Sequence, residues 1–183
     1  MVETARRSES GLTLKSAREI ELMRQAGVLV AQVLDEVCAQ ATPGVSTGEL
    51  NQVAERLIAD AGAEALFKGV VNRAARRPFP AALCISVNDE VVHGIPGSRV
   101  LCAGDAVSID CGVRLAGYCA DSARTVAVGE IAADVDRLLS VTRGALDVAI
   151  GAVVPGRMWS EVAERIQHHI ESAGMSVVRD FVG

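Results

Sequence analysis

The sequence predicts an α/β protein of the α+β type, in which amphipathic helices flank a block of short strands. Apolar residues recur at helical spacing before residue 62 and again from 135 to 170. Between 81 and 128 they form short Val-, Ile- and Cys-rich runs separated by Asn, Asp and Gly, a pattern typical of strands and turns. The 183 residues are 50% hydrophobic and 22% charged, which disfavours disordered, collagen-like and coiled-coil classes.

Two helices open the predicted fold, and each begins at a capping box, in which a Ser and a Glu three residues later bond to each other's backbone. The first box is Ser16-Ala-Arg-Glu19, and its helix is predicted to stop at Pro43-Gly44. The second box is Ser46-Thr-Gly-Glu49, and its helix is predicted to end at Gly62, because glycine suits a left-handed C-terminal cap.

The helix pair recurs later in the chain. Pro155-Gly156 and Gly174 lie 112 residues after Pro43-Gly44 and Gly62, and a gapless overlay at this offset also matches several other residues. We interpret the match as a diverged duplication, with chance agreement between two Pro-Gly-linked helix pairs as the alternative.

The duplication divides the chain into predicted regions. Residues 1–13 form a flexible extension, repeat one covers about 14–129, and repeat two starts at about 130 and reaches 183. A strand is predicted at Ser176 to Val178, where the second strand block would begin. Repeat two would then lack about sixty residues, so we expect a C-terminally incomplete domain with an exposed sheet edge.

The composition disfavours several function classes. The net charge of −5 and the pI near 5.2 argue against a DNA-binding surface, and the basic run Arg73 to Arg77, in a predicted loop, is interpreted as a solvated face. No apolar stretch approaches the roughly 18 residues of a membrane-spanning helix. Five cysteines without a CxxC pair are expected to be reduced thiols. We therefore expect a soluble, cytoplasmic protein without a membrane partner.

Two aspartates flank a predicted hairpin turn. They lie in Ile109-Asp110-Cys111 and Cys119-Ala120-Asp121, on either side of Arg114 to Gly117, and a simple hairpin would place them directly across from each other on one face. Opposed ionised carboxylates are unfavourable unless one is protonated or a cation lies between them, and the second option predicts a metal-binding hairpin. A slipped register is the alternative, although an unpaired Asp110 would be costly in its apolar run.

A histidine follows another strand-like run. In Val91-Val92-His93-Gly94-Ile95-Pro96, His93 stands at the end of a predicted buried strand, before a turn fixed by Gly and Pro. Such a residue is held with little freedom, as a ligand or a catalytic hydrogen-bonding group must be. A structural histidine with satisfied hydrogen bonds is the alternative.

Longer motifs carry a resemblance to a known family. The run from Phe79 to Pro96, which includes Cys84-Ile-Ser-Val-Asn and His93-Gly-Ile-Pro96, is followed by Ser108-Ile-Asp110-Cys-Gly and Gly117-Tyr-Cys-Ala-Asp121-Ser. Together these motifs resemble the type I methionine aminopeptidases. The resemblance extends in order from Ile20 to Gly183.

The resemblance implies a pita-bread fold, in which two related halves curve antiparallel sheets around a two-metal site, with residues 14–183 as an incomplete catalytic domain. It implies that Asp110 and Asp121 are metal ligands, with Asp121 in the bridging position. It further implies that His93 contacts the substrate and that Phe79 and Cys84 line the pocket for the methionine side chain. The implied reaction is metal-dependent hydrolysis that removes the N-terminal methionine of nascent polypeptides, with two divalent ions of Co, Mn, Fe or Zn.

The same resemblance implies that one His and two Glu ligands would follow Gly183. The 183-residue chain is therefore expected to be truncated and inactive alone. The complete enzyme is expected to be a monomer that acts on nascent chains, with the ribosome as a candidate partner. Two alternatives stay open: an aminopeptidase that cleaves before proline, and a non-catalytic pita-bread module that binds a protein or the ribosome.

Overall fold

A computed structural model describes residues 6–7, 13–71 and 77–178 of the chain. The chain divides into two compact units, Met1–Glu130 and Ile131–Gly183. This boundary lies beside the predicted repeat boundary, and the duplication itself stays a prediction. The predicted extension 1–13 and the basic run Arg73 to Arg77 lie largely outside the described residues.

The first unit contains two helices and a small antiparallel sheet. In chain order its elements are β1 (Arg6–Arg7), β2 (Thr13–Leu14), α1 (Ala17–Gln40), α2 (Thr47–Asp60), β3 (Glu64–Ala65), β4 (Leu83–Val87), β5 (Ala106–Leu115) and β6 (Tyr118–Ala127). β1 pairs with β2 apart from the main sheet. In the main sheet β5 is central, because β6 pairs along one of its edges while β4 and β3 share the other.

Both predicted capping boxes are present. The amide of Glu19 donates to the hydroxyl of Ser16 at 3.4 Å, and the amide of Glu49 donates to the hydroxyl of Ser46 at 3.2 Å. Each glutamate in turn accepts from the backbone amide of its serine at 2.8 Å. These bonds satisfy amides that no helical carbonyl can reach, so α1 and α2 begin where the sequence predicts.

The two faces of the sheet differ in chemistry. Because side chains alternate along a strand, one face of β4 and β5 is apolar, and α1 and α2 cover it. The buried residues of this apolar face are Leu83, Ile85, Val87, Val107, Ile109, Cys111 and Val113. The opposite face carries the polar and ionisable side chains, and burying the first face therefore fixes which residues are presented on the second.

The second unit is a helix pair formed by α3 (Ala133–Ala152) and α4 (Trp159–Ser172). The predicted break at Pro155-Gly156 is confirmed, with a φ of +86° at Gly156. His169 packs across α3, where a Cβ atom at Gly144 would lie 2.7 Å from its Nε2.

The predicted strand at Ser176 to Val178 is wrong, because these residues form no strand. A strand needs a partner for its backbone groups, and the structure pairs this segment with no other among the described residues. In the same described part of the chain, the helices are too short or too polar to cross a membrane.

Candidate metal centre

Asp110 in β5 and Asp121 in β6 lie on the same face of the sheet. The register pairs Asp110 with Ala123 and Asp121 with Gly112, so the two aspartates are diagonal neighbours. Their predicted position directly across from each other is therefore wrong. The predicted shared face is confirmed, because cross-strand partners and residues two apart along a strand point to the same side.

The hairpin turn explains this difference. Leu115 pairs with Tyr118, which leaves Ala116 and Gly117 as a two-residue loop. Their φ angles of +50° and +84° are those of a type I′ turn, which matches the twist of the flanking strands. A turn at this position shifts the partner of Asp110 by two residues. Because two is an even number, both aspartates keep the face predicted from the sequence.

Gly112 leaves room for the carboxylate of Asp121. A Cβ atom at Gly112 would lie 3.1 Å from Oδ2 of Asp121 and 2.9 Å from Cε1 of Phe67. The ring of Phe67 and the carboxylate of Asp121 therefore both lie close to Gly112. The sequence patterns single out neither Gly112 nor Phe67, although a glycine within a strand is a signal of close approach and could have identified the first.

The surroundings of Asp110 disfavour the ionised form of its carboxylate. Its Oδ1 atom is buried and has no hydrogen-bond partner within the described residues. Burial first, and the negative charge of Asp121 second, raise the pKa of Asp110 to about 6, while the charge of His93 acts in the opposite direction. A cation beside this carboxylate would supply the missing partner and favour its charged form.

The carboxylates of Asp110 and Asp121 could provide some of the ligands of a divalent metal ion. Carboxylate oxygens on one face, one of them buried and without a partner among the described residues, are donors that divalent ions accept. Within residues 13–71 and 77–178, however, no group of three or more His, Cys, Asp and Glu side chains could hold a metal ion. The described residues therefore provide two ligands and not a full coordination sphere.

The sequence predicts His93 at the end of a buried strand. This prediction is wrong, because His93 lies in a loop. β4 ends at Val87, and Val91 and Val92 are 61% and 54% exposed. After Val87 the chain turns back along β4, and the carbonyl of Gly94 accepts from the amide of Ile85 at 2.9 Å. His93 has a φ of +61°, a strained value for a residue with a side chain.

Cys84 and Phe79 occupy different surroundings. Cys84 pairs directly with Asp110 and shares its face, and burial with the charges of Asp110 and Asp121 raises the pKa of its thiol to about 11. The thiol is therefore neutral near pH 7. Phe79 precedes β4, and its backbone exchanges hydrogen bonds of 2.8 Å with Gly69 and Val70. The structure thus brings Cys84, but not Phe79, into cross-strand register with the aspartates.

Replacing Asp110 by Asn is expected to stabilise the metal-free chain by about 1–2 kcal/mol near neutral pH. The raised pKa means that the ionised carboxylate opposes folding there, and an amide of the same shape removes the charge. The figure is smaller than the pKa shift alone would give because solvent reaches part of the side chain. Urea unfolding followed by circular dichroism measures the difference.

Asp105→Asn is the matched control, with the opposite sign. The Cys102 amide and the Asn88 side chain donate to the Asp105 carboxylate at 2.9 and 2.8 Å and lower its pKa. This substitution should therefore destabilise the chain. Destabilisation by Asp110→Asn of the same size would contradict the unfavourable charge at Asp110.

Similarity to known proteins identifies the class as a metal-dependent peptidase. The model of metallopeptidase family M24 matches residues 21–183, and the chain belongs to this family. Within this family, the chain is similar to methionine aminopeptidases. It is 42% identical over 172 residues to the methionine aminopeptidase of Clostridium perfringens, an alignment that covers 94% of this chain and 67% of that relative.

Solved structures agree with this assignment and confirm the predicted pita-bread class. The crystal structure of methionine aminopeptidase from Thermotoga maritima matches with a TM-score of 0.86 and 35% identity, covering 98% of this chain and 68% of that one. An X-Pro aminopeptidase of the same bacterium matches with a TM-score of 0.72 but only 23% identity, and this likeness concerns the fold alone. The chain spans about two thirds of the length of these methionine aminopeptidases.

Proposed function

We propose that the protein containing this chain removes the N-terminal methionine of nascent polypeptides by metal-dependent hydrolysis. The observation that carries the proposal is the buried Oδ1 of Asp110, which has no partner in the part of the chain that the structure describes and lies on the same sheet face as Asp121. The likeness to methionine aminopeptidases supplies the substrate class. The proposal includes a cytoplasmic location, a monomer, and the ribosome as a candidate partner at the point where new chains emerge.

In this proposal Asp110 and Asp121 would hold divalent metal, and further ligands would come from outside the described residues. The ions are of Co, Mn, Fe or Zn, which accept carboxylate and imidazole ligands. When bound, they supply Lewis-acid polarisation of the scissile carbonyl and activation of water. The lack of a side chain at Gly112 leaves room for both the Asp121 carboxylate and the ring of Phe67.

The same proposal gives three other residues contacts with the substrate. His93 donates a hydrogen bond to the substrate near the reacting carbonyl, where a positioned donor stabilises developing negative charge. Cys84 and Phe79 line the pocket for the methionine side chain. The neutral, buried thiol of Cys84 suits an apolar pocket wall because it adds no charge beside a thioether.

The test is methionine release from a Met-Ala-Ser peptide. The protein that extends this chain to the length of its relatives should release methionine with added Mn²⁺ or Co²⁺ and lose the activity to a strong chelator. The 183-residue chain alone should show no metal-dependent cleavage, because two carboxylates hold metal weakly. Activity that survives the chelator, or a metal-loaded longer protein that binds the peptide without cleaving it, would contradict the proposal.

A further inference from the structure

The backbone on either side of Gly94 is bound to β4. The carbonyl of Gly94 accepts from the amide of Ile85 at 2.9 Å, and the amide of Gly94 donates to the hydroxyl of Ser86 at 3.0 Å. A Cβ atom at Gly94 would lie 2.1 Å from the carbonyl oxygen of Ile85. The peptide that joins His93 to Gly94 therefore packs closely against β4, and its amide is hydrogen-bonded to one side chain of that strand.

That side chain belongs to Ser86, which is only 4% exposed. Along β4, Ser86 and Cys84 point to the same face, which is the face of Asp110. Ser86 pairs directly with Ser108, whose hydroxyl lies 2.9 Å from that of Thr125. The Ser86 hydroxyl thus connects the sheet face that carries the aspartates to the loop that carries His93.

We propose that Ser86 is a positioning residue for His93, because its buried hydroxyl holds the Gly94 amide and so maintains the left-handed backbone from which the imidazole projects. The inference rests on the proposed function, in which His93 contacts the substrate. Ser86 itself touches neither substrate nor metal in this proposal. It acts by fixing the peptide bond that follows His93.

The physical reason lies in the strain at His93 and in the partner of the Gly94 amide. A positive φ such as that of His93 is uncommon for a residue with a side chain, and it persists where the surrounding structure holds it. Without the Ser86 hydroxyl, the Gly94 amide loses its hydrogen-bond partner. The loop should then move towards water, which can accept from this amide. The bond from Ile85 to Gly94 remains, so the loop should loosen at His93 without detaching from β4.

Two substitutions separate this role from a general contribution to stability. Ser86→Ala removes the hydroxyl that binds Gly94. Ser108→Ala removes a hydroxyl from the residue directly across the sheet, on the same face, with no bond to the loop. Ser86→Cys provides a second variant of nearly the same shape with a much poorer acceptor, and it decides the question if Ser86→Ala does not fold.

The first readout is hydrogen exchange of the Gly94 amide, measured by NMR in the 183-residue chain. We expect exchange to accelerate about tenfold in Ser86→Ala and Ser86→Cys, with a shift of the His93 imidazole signals, and neither change in Ser108→Ala. Unchanged Gly94 exchange in both Ser86 variants, or equal acceleration in Ser108→Ala, would overturn the proposal. This readout does not depend on any enzymatic activity.

The second readout uses the metal-loaded, longer protein. There kcat for Met-Ala-Ser should fall about tenfold in Ser86→Ala with KM nearly unchanged, while Ser108→Ala should retain the kcat of the unmodified protein. If the unmodified protein cleaves the peptide and both variants behave alike, the role of Ser86 is wrong and the proposed function stands. If the unmodified protein does not cleave it, the proposed function fails, and Gly94 exchange still decides whether Ser86 holds His93.

Discussion

Replacing Asp121 by Ala is expected to reduce metal-dependent methionine release by about three orders of magnitude or more. The substitution removes one of the two carboxylates that would hold the metal on this sheet face. The remaining Asp110 cannot compensate, since it pairs with Ala123 and offers no second carboxylate at that position. Turnover of Met-Ala-Ser by the metal-loaded, longer protein measures the loss.

Metal binding provides a second measurement for Asp121→Ala, independent of turnover. Calorimetric titration with millimolar Mn²⁺ should show weak binding to the 183-residue chain and none to Asp121→Ala. Asp35→Ala is a suitable control, because it removes an exposed carboxylate whose 2.6 Å ion pair with Arg124 lies on the surface. Near-normal turnover by Asp121→Ala, or equal losses in the two variants, would show that the assignment of Asp121 is wrong.

The helices of the first unit could be predicted from the sequence because their signals are local. The bonds that begin α1 join Ser16 to Glu19, only three residues apart, so the pattern and the structure describe the same contact. The strand block and its hairpin could also be predicted, because their sequence signals are local as well. The shared face of Asp110 and Asp121 follows from strand alternation once the number of residues between them is known.

The detailed geometry of the site could not be predicted in the same way. The offset of Asp110 from Asp121 depends on which two residues form the turn, and the run from Arg114 to Gly117 allows more than one choice. The position of Phe67 beside Gly112 joins residues 45 apart in the chain, with no periodic pattern between them. Such contacts are set by tertiary packing, which local patterns do not encode.

The apolar run before His93 led to an incorrect strand prediction. Val91 and Val92 have high strand propensity, yet they are exposed and form no strand, and it is Gly94 that hydrogen-bonds to the backbone of β4. The glycine after His93 is the sequence signal of this arrangement. It marks a backbone approach that no other residue permits, and it predicts the second large effect.

Replacing Gly94 by Ala is expected to destabilise the chain by about 2–4 kcal/mol. The new methyl group would meet the carbonyl oxygen of Ile85 at 2.1 Å and its carbon at 2.8 Å, and both are backbone atoms that cannot rotate away. The loop must therefore separate from β4. That separation breaks the bond from Ile85 to Gly94 and the bond from Gly94 to Ser86. Urea unfolding of the 183-residue chain measures the cost.

Gly97→Ala is the matched control, three residues further along the same loop. A Cβ atom at Gly97 meets nothing within 4 Å, and its φ is not positive, so the added methyl should change stability by less than about 0.5 kcal/mol. In the longer protein, Gly94→Ala should also lower kcat for Met-Ala-Ser about a hundredfold, since displacement of His93 by about 1 Å is enough for such a loss. Equal stability of the two alanine variants would contradict the close packing of Gly94 against β4. A destabilised Gly94→Ala with unchanged kcat would show instead that His93 takes no part in turnover.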